Sequence, residues 1–561
     1  MTATDLPDGK SQETSSEKEG GHPSTVEVIE KEEWKPDYRF WLIFVSLTIS
    51  CFLCGLENSI IVTPLPFIVR DLNVGSSYVW CSIRNLFPLT FDTNLSAAVL
   101  PILGQLANLF GRRHLTLSVL CLYTLGSGLC GGAINAAMFL VGRAFQGAGG
   151  SGIMMMTEMI VADLAPVKAR AAFIGMIMGI AGIGSIIGPS MGGAIVQHVS
   201  WRWVFHLNLP ICAIAIAAIF VFLRVKWNRS ETIAAKLARF DWGGNVIMMA
   251  STISVTIAFT WAGSVYPWAS VEVLAPLIIG LVGLAAFLSY ETLPFVREPL
   301  LPLRLFNNRT SITIFINTFL SNALLYYTYF FIPVYYQAVL RSEPMRAAVL
   351  MLPLSLLCVP TIVLSTAVLS KYGRYKWLHV AGFATWIVAF AAMSLLEVDD
   401  SPAKYICVQI PGALAVGLLI ATMLPAFQGA AAEEDQAAAT ASWTWIRAVS
   451  YVWGVAIASV IFNKFLASAA LQVEDPAVQA MLRDGGAFSL ATKSFVDQYQ
   501  DPVRLQIQVA FNTAFKKVMQ VAIAFTGLGF FMALIEKDIA LRTEIETEFG
   551  LEERTTKLTN A

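Results

Sequence analysis

Four ionisable side chains, Glu57, Arg143, Glu158 and Arg447, stand in or beside long apolar stretches of this 561-residue chain. A charge in hydrocarbon is costly, so each is a functional candidate by position alone. Glu57, in FLCGLENSIIV, lies about five residues from the outer end of the first apolar helix, and Arg143, in FLVGRAFQGAGG, about seven from the outer end of the fourth. At about 1.5 Å per residue they sit at comparable depth and can pair across an amino-terminal bundle. A desolvated carboxylate holds its proton more tightly, and a nearby cation reverses that. Movement of the arginine, or arrival of a cationic substrate, then switches protonation, as proton-coupled exchange requires. The alternative is a permanent buried ion pair that only fixes packing. Arg447, in SWTWIRAVSYVWGVA, either contacts substrate or satisfies helix ends, while Glu158 and Asp163 read as capping or loop-anchoring groups at the inner end of the fourth helix.

Other chemistries find no residues to carry them. The glycine-rich QGAGGSG lacks the lysine that a phosphate-binding loop needs, and no metal-ligand spacing or nucleophile-base pattern occurs. The chain is therefore expected to be no enzyme, to need no cofactor or metal, and to draw energy from an ion gradient. Cys51, Cys54, Cys121, Cys130, Cys212, Cys358 and Cys407 lie in or near apolar runs, with Cys81 in an external loop, so all eight read as packing residues.

The elements that position these groups are membrane helices. Hydrophobic residues make up 56% of the chain and charged residues 14%, with a mean hydropathy of +0.63. Continuous apolar runs able to cross about 30 Å of hydrocarbon recur from residue 40 to 536, which excludes the alternating pattern of a barrel. Windows of about 20 residues predict fourteen helices, at 40–62, 93–110, 115–133, 136–158, 170–197, 203–224, 243–262, 271–291, 311–338, 346–369, 377–396, 406–427, 438–465 and 517–536. Lysine and arginine concentrate after the even-numbered helices, so both termini are expected in the cytosol. The net charge of -1 carries no message about nucleic acid.

The expected fold class is an all-α polytopic membrane protein with two six-helix bundles and two inserted helices. Its divisions are a disordered cytosolic tail at 1–38, an N-terminal bundle at 39–224, a linker with the inserted pair at 225–296, a C-terminal bundle at 297–536 with an external loop at 467–516, and a cytosolic tail at 537–561. LANLFGRRH and LSKYGRYKW share Gly111-Arg112 and Gly373-Arg374 at equivalent places in the two bundles. Two pseudo-equivalent bundles around a central site are expected of an alternating-access transporter. In the fifth helix Gly184, Gly188 and Gly192 share one face, with Pro189 and Gly193 beside them, offering a close and bendable helix contact.

The chain resembles the major facilitator superfamily, specifically its fourteen-helix drug:proton antiporter branch and the fungal efflux pumps within it. The resemblance runs from about Phe40 to Phe549 and rests on the glycine-proline face of the fifth helix, WRWVFHLNLP after it, the Arg143-Gln146-Gly147 segment, FDWGG, TWAGSVYPW, PLLPLRLF and IPVYYQAVL. It implies a cytosolic gate at Gly104, Asn108, Gly111, Arg112 and Arg113, proton transfer supported by Arg143, and a motif associated with export at Gly184, Gly188, Pro189, Gly192 and Gly193. Three departures stand out. Asn108 replaces an acidic gate residue, Glu57 replaces an aspartate, and IRNLFPLTFDTN, with Arg84 and Asp92, makes the entry to the second helix longer and more polar. The expected function is proton-coupled efflux of a small amphipathic or apolar compound, such as a secondary metabolite, toxin or drug, by a monomer in the plasma membrane. An importer or vacuolar carrier on the same fold, and a non-transporting nutrient sensor, are the alternatives. The expected partners are the small-molecule substrate, protons and the lipid bilayer.

Overall fold

A computed structural model of the chain describes residues 36–61, 98–224, 232–262, 266–294, 299–432, 435–483 and 490–539, with Pro64, Ile68, Asp71, Leu72 and Val296 between them. The terminal tails up to Lys35 and from Ala540 onward, two of the three Asn-X-Ser/Thr sequons in the sequence (Asn94 and Asn228; the third is Asn308), and the whole IRNLFPLTFDTN entry lie outside the described residues. So does Cys81, whereas the seven described cysteines are free thiols.

The described residues of the folded unit are helical and contain no strand. We number the long helices α1 (Tyr38–Ile60), α2 (Ala98–Phe110), α3 (Arg112–Gly131), α4 (Ala136–Leu164), α5 (Val167–His198), α6 (Arg202–Phe222), α7 (Trp242–Trp261) and α8 (Val271–Tyr290). After them come α9 (Arg309–Val334), α10 (Leu352–Tyr372), α11 (Lys376–Met393), α12 (Pro402–Ala430), α13 (Gln436–Ala469) and α14 (Val503–Ile535). Eleven helices among the described residues are long and apolar enough to cross a membrane. The other three, α2, α4 and α9, pack among them, which is consistent with the fourteen expected. Described residues of α2 number too few for a full span, and α4 and α9 carry buried polar side chains such as Arg143, Gln146, Asn317 and Asn322 on faces turned inward.

Side chains fix where several helices begin. Asp37, Asn135, Asp241 and Asn308 each cap a helix by accepting a backbone N–H of its first turn, which satisfies donors that hydrocarbon would otherwise leave unpaired. Asn308, one of the sequons, is thereby engaged at the start of α9. The echo between the two bundles has a backbone cause. Gly111 (φ 82°) and Gly373 (φ 68°) both turn the chain with positive φ, where a Cβ would be strained. Their arginines diverge, since Arg112 is buried while Arg374 is exposed and reaches Asp538.

Apolar exposure has the sense expected in lipid. On α8, Val271, Ile278, Ile279 and Val282 all face outward, more than half exposed, a pattern that would be a liability in water. Helices α7 and α8 form a hairpin whose Phe259 packs on Trp453 of α13 with ring centroids 4.3 Å apart. Asn245 of α7 donates to Gln105 of α2 at 2.8 Å.

The segment read from sequence as a loop over 467–516 is largely helical. Helix α13 continues to Ala469, α14 begins at Val503, and short helices at Pro476–Arg483 and Lys493–Val496 lie between. Ile507, Phe511, Ala514 and Phe515 keep a buried face at helical spacing, while Arg504, Gln508, Asn512 and Lys516 lower the hydropathy below what a window reading detects. At about 1.5 Å per residue, α14 is near 50 Å long and outreaches the hydrocarbon.

Candidate functional site

Glu57 lies in the last turn of α1 and is 4% exposed; Arg143, on α4, is 3% exposed. The structure brings them together, with Arg143 Nη1 donating to Glu57 Oε1 at 2.5 Å. Gln146, named from sequence only as part of a family segment, and two residues the sequence reading did not single out, Asn208 and Ser127, complete the arrangement. Asn208 of α6 donates to Glu57 Oε2 at 3.0 Å, so each carboxylate oxygen has a donor. Gln146 accepts from Arg143 Nη1 at 2.8 Å and donates to Ser127 Oγ of α3 at 2.9 Å. Ser127 also receives Asn208 at 3.3 Å. Four helices thus converge on one carboxylate, which the network holds without contact to bulk water. Gln146 and Asn208 are polar residues in apolar helices, and only their convergence reveals what they bind.

The depth of this carboxylate follows from how α5 holds α1. A Cβ on Gly188 would come within 2.8 Å of Ile60 N and 3.0 Å of Leu56 O, and one on Gly184 within 2.6 Å of Phe52 O. Gly192 meets Ile60 in the same way. These glycines therefore seat α5 on the helix turns that flank Glu57. Gly193 follows on the same helix; Pro189 is within it, and its side chain lies outside the described residues. The opposite side of α5 faces α10, where a Cβ on Gly175 would meet Thr366 and one on Gly179 would meet Val359.

A second buried ion pair crosses between the bundles. Arg447 Nη1 donates to Glu158 Oε1 at 2.7 Å, Thr444 Oγ1 donates to Glu158 Oε2 at 3.0 Å, and the guanidinium stands 4.5 Å from the ring centroid of Trp443. Glu158 is therefore not the helix cap expected from sequence. It sits six residues before the end of α4 and is 1% exposed, in contact with α13. Asp163 does anchor a loop, by accepting from Arg112 Nε at 2.7 Å.

At that end of the molecule the residues of the expected gate run from α2 through the Gly111 turn into the start of α3. Gly104 lies so close to Ala441 of α13 that its own Cβ would collide with that of the alanine. Asn108 accepts from Arg112 Nη1 at 2.8 Å, a hydrogen bond where an acidic residue would form an ion pair. Gly111 makes the turn, and Arg113 reaches the carbonyl of Phe220 on α6. A further contact was missed in the sequence: Arg170, 1% exposed at the start of α5, donates to Ala165 O at 2.8 Å and to Gln436 Oε1 of α13 at 2.9 Å. Contacts from α2, α4 and α5 onto α13 close this end. Among the described residues no group of three or more His, Cys, Asp or Glu is placed to hold a metal ion.

A family model described as Major Facilitator Superfamily matches residues 47–455. Relatives include the "MFS-type transporter TwmF" of Talaromyces wortmannii, 42% identical over 97% of both chains, and the "MFS-type efflux pump LUC4" of Fusarium sp, 41% identical over 93% of this chain and 92% of that one. "Efflux pump FUS6" of Gibberella moniliformis is 40% identical over 93% and 92%. Among solved structures, the proton:xylose symporter XylE superposes with a TM-score of 0.55 over 90% of this chain and 98% of that one, at 13% identity, a likeness of fold alone. With a family match across most of its length and relatives sharing two residues in five end to end, the chain belongs to the Major Facilitator Superfamily and is a multi-pass membrane transporter.

Proposed function

We propose that this transporter exports small amphipathic or apolar compounds in exchange for protons, by alternating access of two bundles, 39–224 and 297–536, in the plasma membrane with both termini cytosolic. The observation that carries the reading is the Glu57 carboxylate, buried and held by Arg143 and Asn208. Protonation there removes the charge that holds Arg143, so the arginine can shift against Gln146 and Ser127. Two states of one element then differ in proton content, which is what coupling demands. The Glu158–Arg447 and Arg170–Gln436 contacts join the bundles at one end and must part when that end opens. Relatives named efflux pumps support the outward direction.

Cells carrying the protein are expected to accumulate less of an exported amphipathic compound than cells lacking it, and a protonophore is expected to erase the difference. Unaltered accumulation across a broad panel would overturn the reading and favour a sensor. Greater accumulation would favour an importer.

The glycine face of α5 is assigned the hinge in this scheme. Gly188→Leu is expected to push α1 away from α5 and displace Glu57, because behind the Ser59 hydroxyl, 2.0 Å from the new Cβ, stand Ile60 N and Leu56 O, backbone atoms that cannot rotate aside. Transport should be lost and the thermal midpoint of the purified protein lowered. A variant with normal transport would remove the hinge assignment.

A further inference from the structure

The inserted hairpin carries a pair of carboxyls that the coupling scheme does not use. Asp241 caps the start of α7 and Glu291 caps the end of α8, so the hairpin brings them together at its open end, and each is 7% exposed. Asp241 Oδ1 accepts from Gly244 N at 2.9 Å and from the Tyr290 hydroxyl at 3.1 Å. Glu291 Oε2 accepts from Leu301 N at 3.4 Å, with Leu300 N beside it. The remaining oxygens, Asp241 Oδ2 and Glu291 Oε1, are buried and have no donor among the described residues. Both lie within 2.8 Å of the point where a Cβ on Gly244 would sit, and the carboxyls are close enough to hydrogen-bond. Two acceptors cannot bond without a hydrogen between them, and two adjacent buried carboxylates repel.

We propose that Asp241 and Glu291 share one proton and form a proton-binding site at the open end of the inserted hairpin, separate from Glu57. The proton comes from bulk water at that end and sits between Asp241 Oδ2 and Glu291 Oε1. Gly244 leaves the room it needs, which gives the DWGG sequence a function. Burial, and then the charge of Asp241, push the Glu291 carboxyl up to about 8. The titratable neighbours of Glu291 are Asp241 on α7 and Tyr290 on α8. The segment after α8 offers backbone N–H groups, and Trp445 of α13 packs on Leu300 and Leu301 as part of the apolar cluster beneath. Lys236 and Arg239, on the short helix Ile233–Arg239, precede the pair but are not among its hydrogen-bond partners. Because Trp445 stands two residues from Arg447, the state of this proton bears on the helix that carries the cross-bundle ion pair.

The sign of the pH effect follows from the raised affinity. The folded protein keeps this proton where the unfolded chain has lost it, so the contribution to stability is full below the ordinary carboxyl value of 4.5 and fades as pH rises to about 8. Infrared difference spectra of the full chain in nanodiscs, titrated from pH 5 to 9, test the proposal. A protonated-carboxyl band that disappears with a midpoint of about 8 is expected in the parent protein, and Glu291→Gln and Asp241→Asn should each remove it. Glu57→Gln should leave it in place, which separates this site from the coupling carboxylate. Gly244→Ala, which fills the gap, should also abolish it. No such band in the parent protein, or a band that survives in both carboxyl variants, would overturn the proposal.

Discussion

Glu57→Gln is expected to abolish proton-driven efflux while leaving a folded, membrane-inserted protein. The amide matches the carboxyl in shape, can still accept from Arg143 or Asn208, and mimics the protonated state that a coupled cycle must visit. A cycle that visits that state cannot be one in which it unfolds the protein, so the structural cost must be tolerable. What is lost is the ability to release the proton and recapture Arg143. Efflux driven by an imposed proton gradient in reconstituted vesicles should fall to the level of protein-free vesicles, whereas exchange of labelled for unlabelled substrate, which needs no net proton movement, should persist. Glu57→Asp, with one methylene fewer to reach Arg143, should retain reduced coupling. If gradient-driven efflux by Glu57→Gln matched the parent, the pair would be a packing device and the proton would enter elsewhere. Arg143→Ala serves as the contrast. It strands a buried carboxylate, at a cost of about 3–5 kcal/mol, and so should lower stability as well as transport.

The sequence revealed what hydrocarbon imposes and left unsaid what tertiary contact decides. Membrane helices were legible because the cost of unpaired backbone in lipid forces long apolar runs. The Glu57–Arg143 pair was legible because so few charges lie in such runs and these two have matching depth. Asn208 was not, since neutral polar residues are tolerated in many helix positions, and nothing in WRWVFHLNLP says which way one amide points. Glu158 was misread as a cap because it lies near a helix end, and its partner is 289 positions away on α13. Asp241 and Glu291 each looked like an ordinary helix-end residue. Only the hairpin brings the two ends together. The start of α14 was placed 14 residues late, at 517 rather than Val503, because its first turns are amphipathic and hydropathy averages over both faces.

The cross-bundle pair yields the second large effect. Arg447→Met removes the one cation that Glu158 bonds among the described residues and leaves that carboxylate buried between α4 and α13 with Thr444 as its remaining donor. Such a loss typically costs about 3–5 kcal/mol, so the thermal midpoint should drop and transport should fail. Glu158→Gln on its own should cost less, since Arg447 keeps its stacking on Trp443 and a neutral acceptor. In the double variant Glu158→Gln with Arg447→Met no unpaired charge is left, and stability should recover well beyond the sum of the two single losses, by a coupling of about 0.5–3 kcal/mol. Recovery of stability without recovery of transport would assign the pair to the cycle, as a contact that must form and break while the bundles rock. Recovery of both would make it a device of packing alone, because a hydrophobic and amide replacement could then do all that the ion pair does. The first outcome is the expected one. A buried ion pair is a poor stabiliser compared with apolar packing, so its use where α4 meets α13 is best explained by contacts that have to exchange partners during transport.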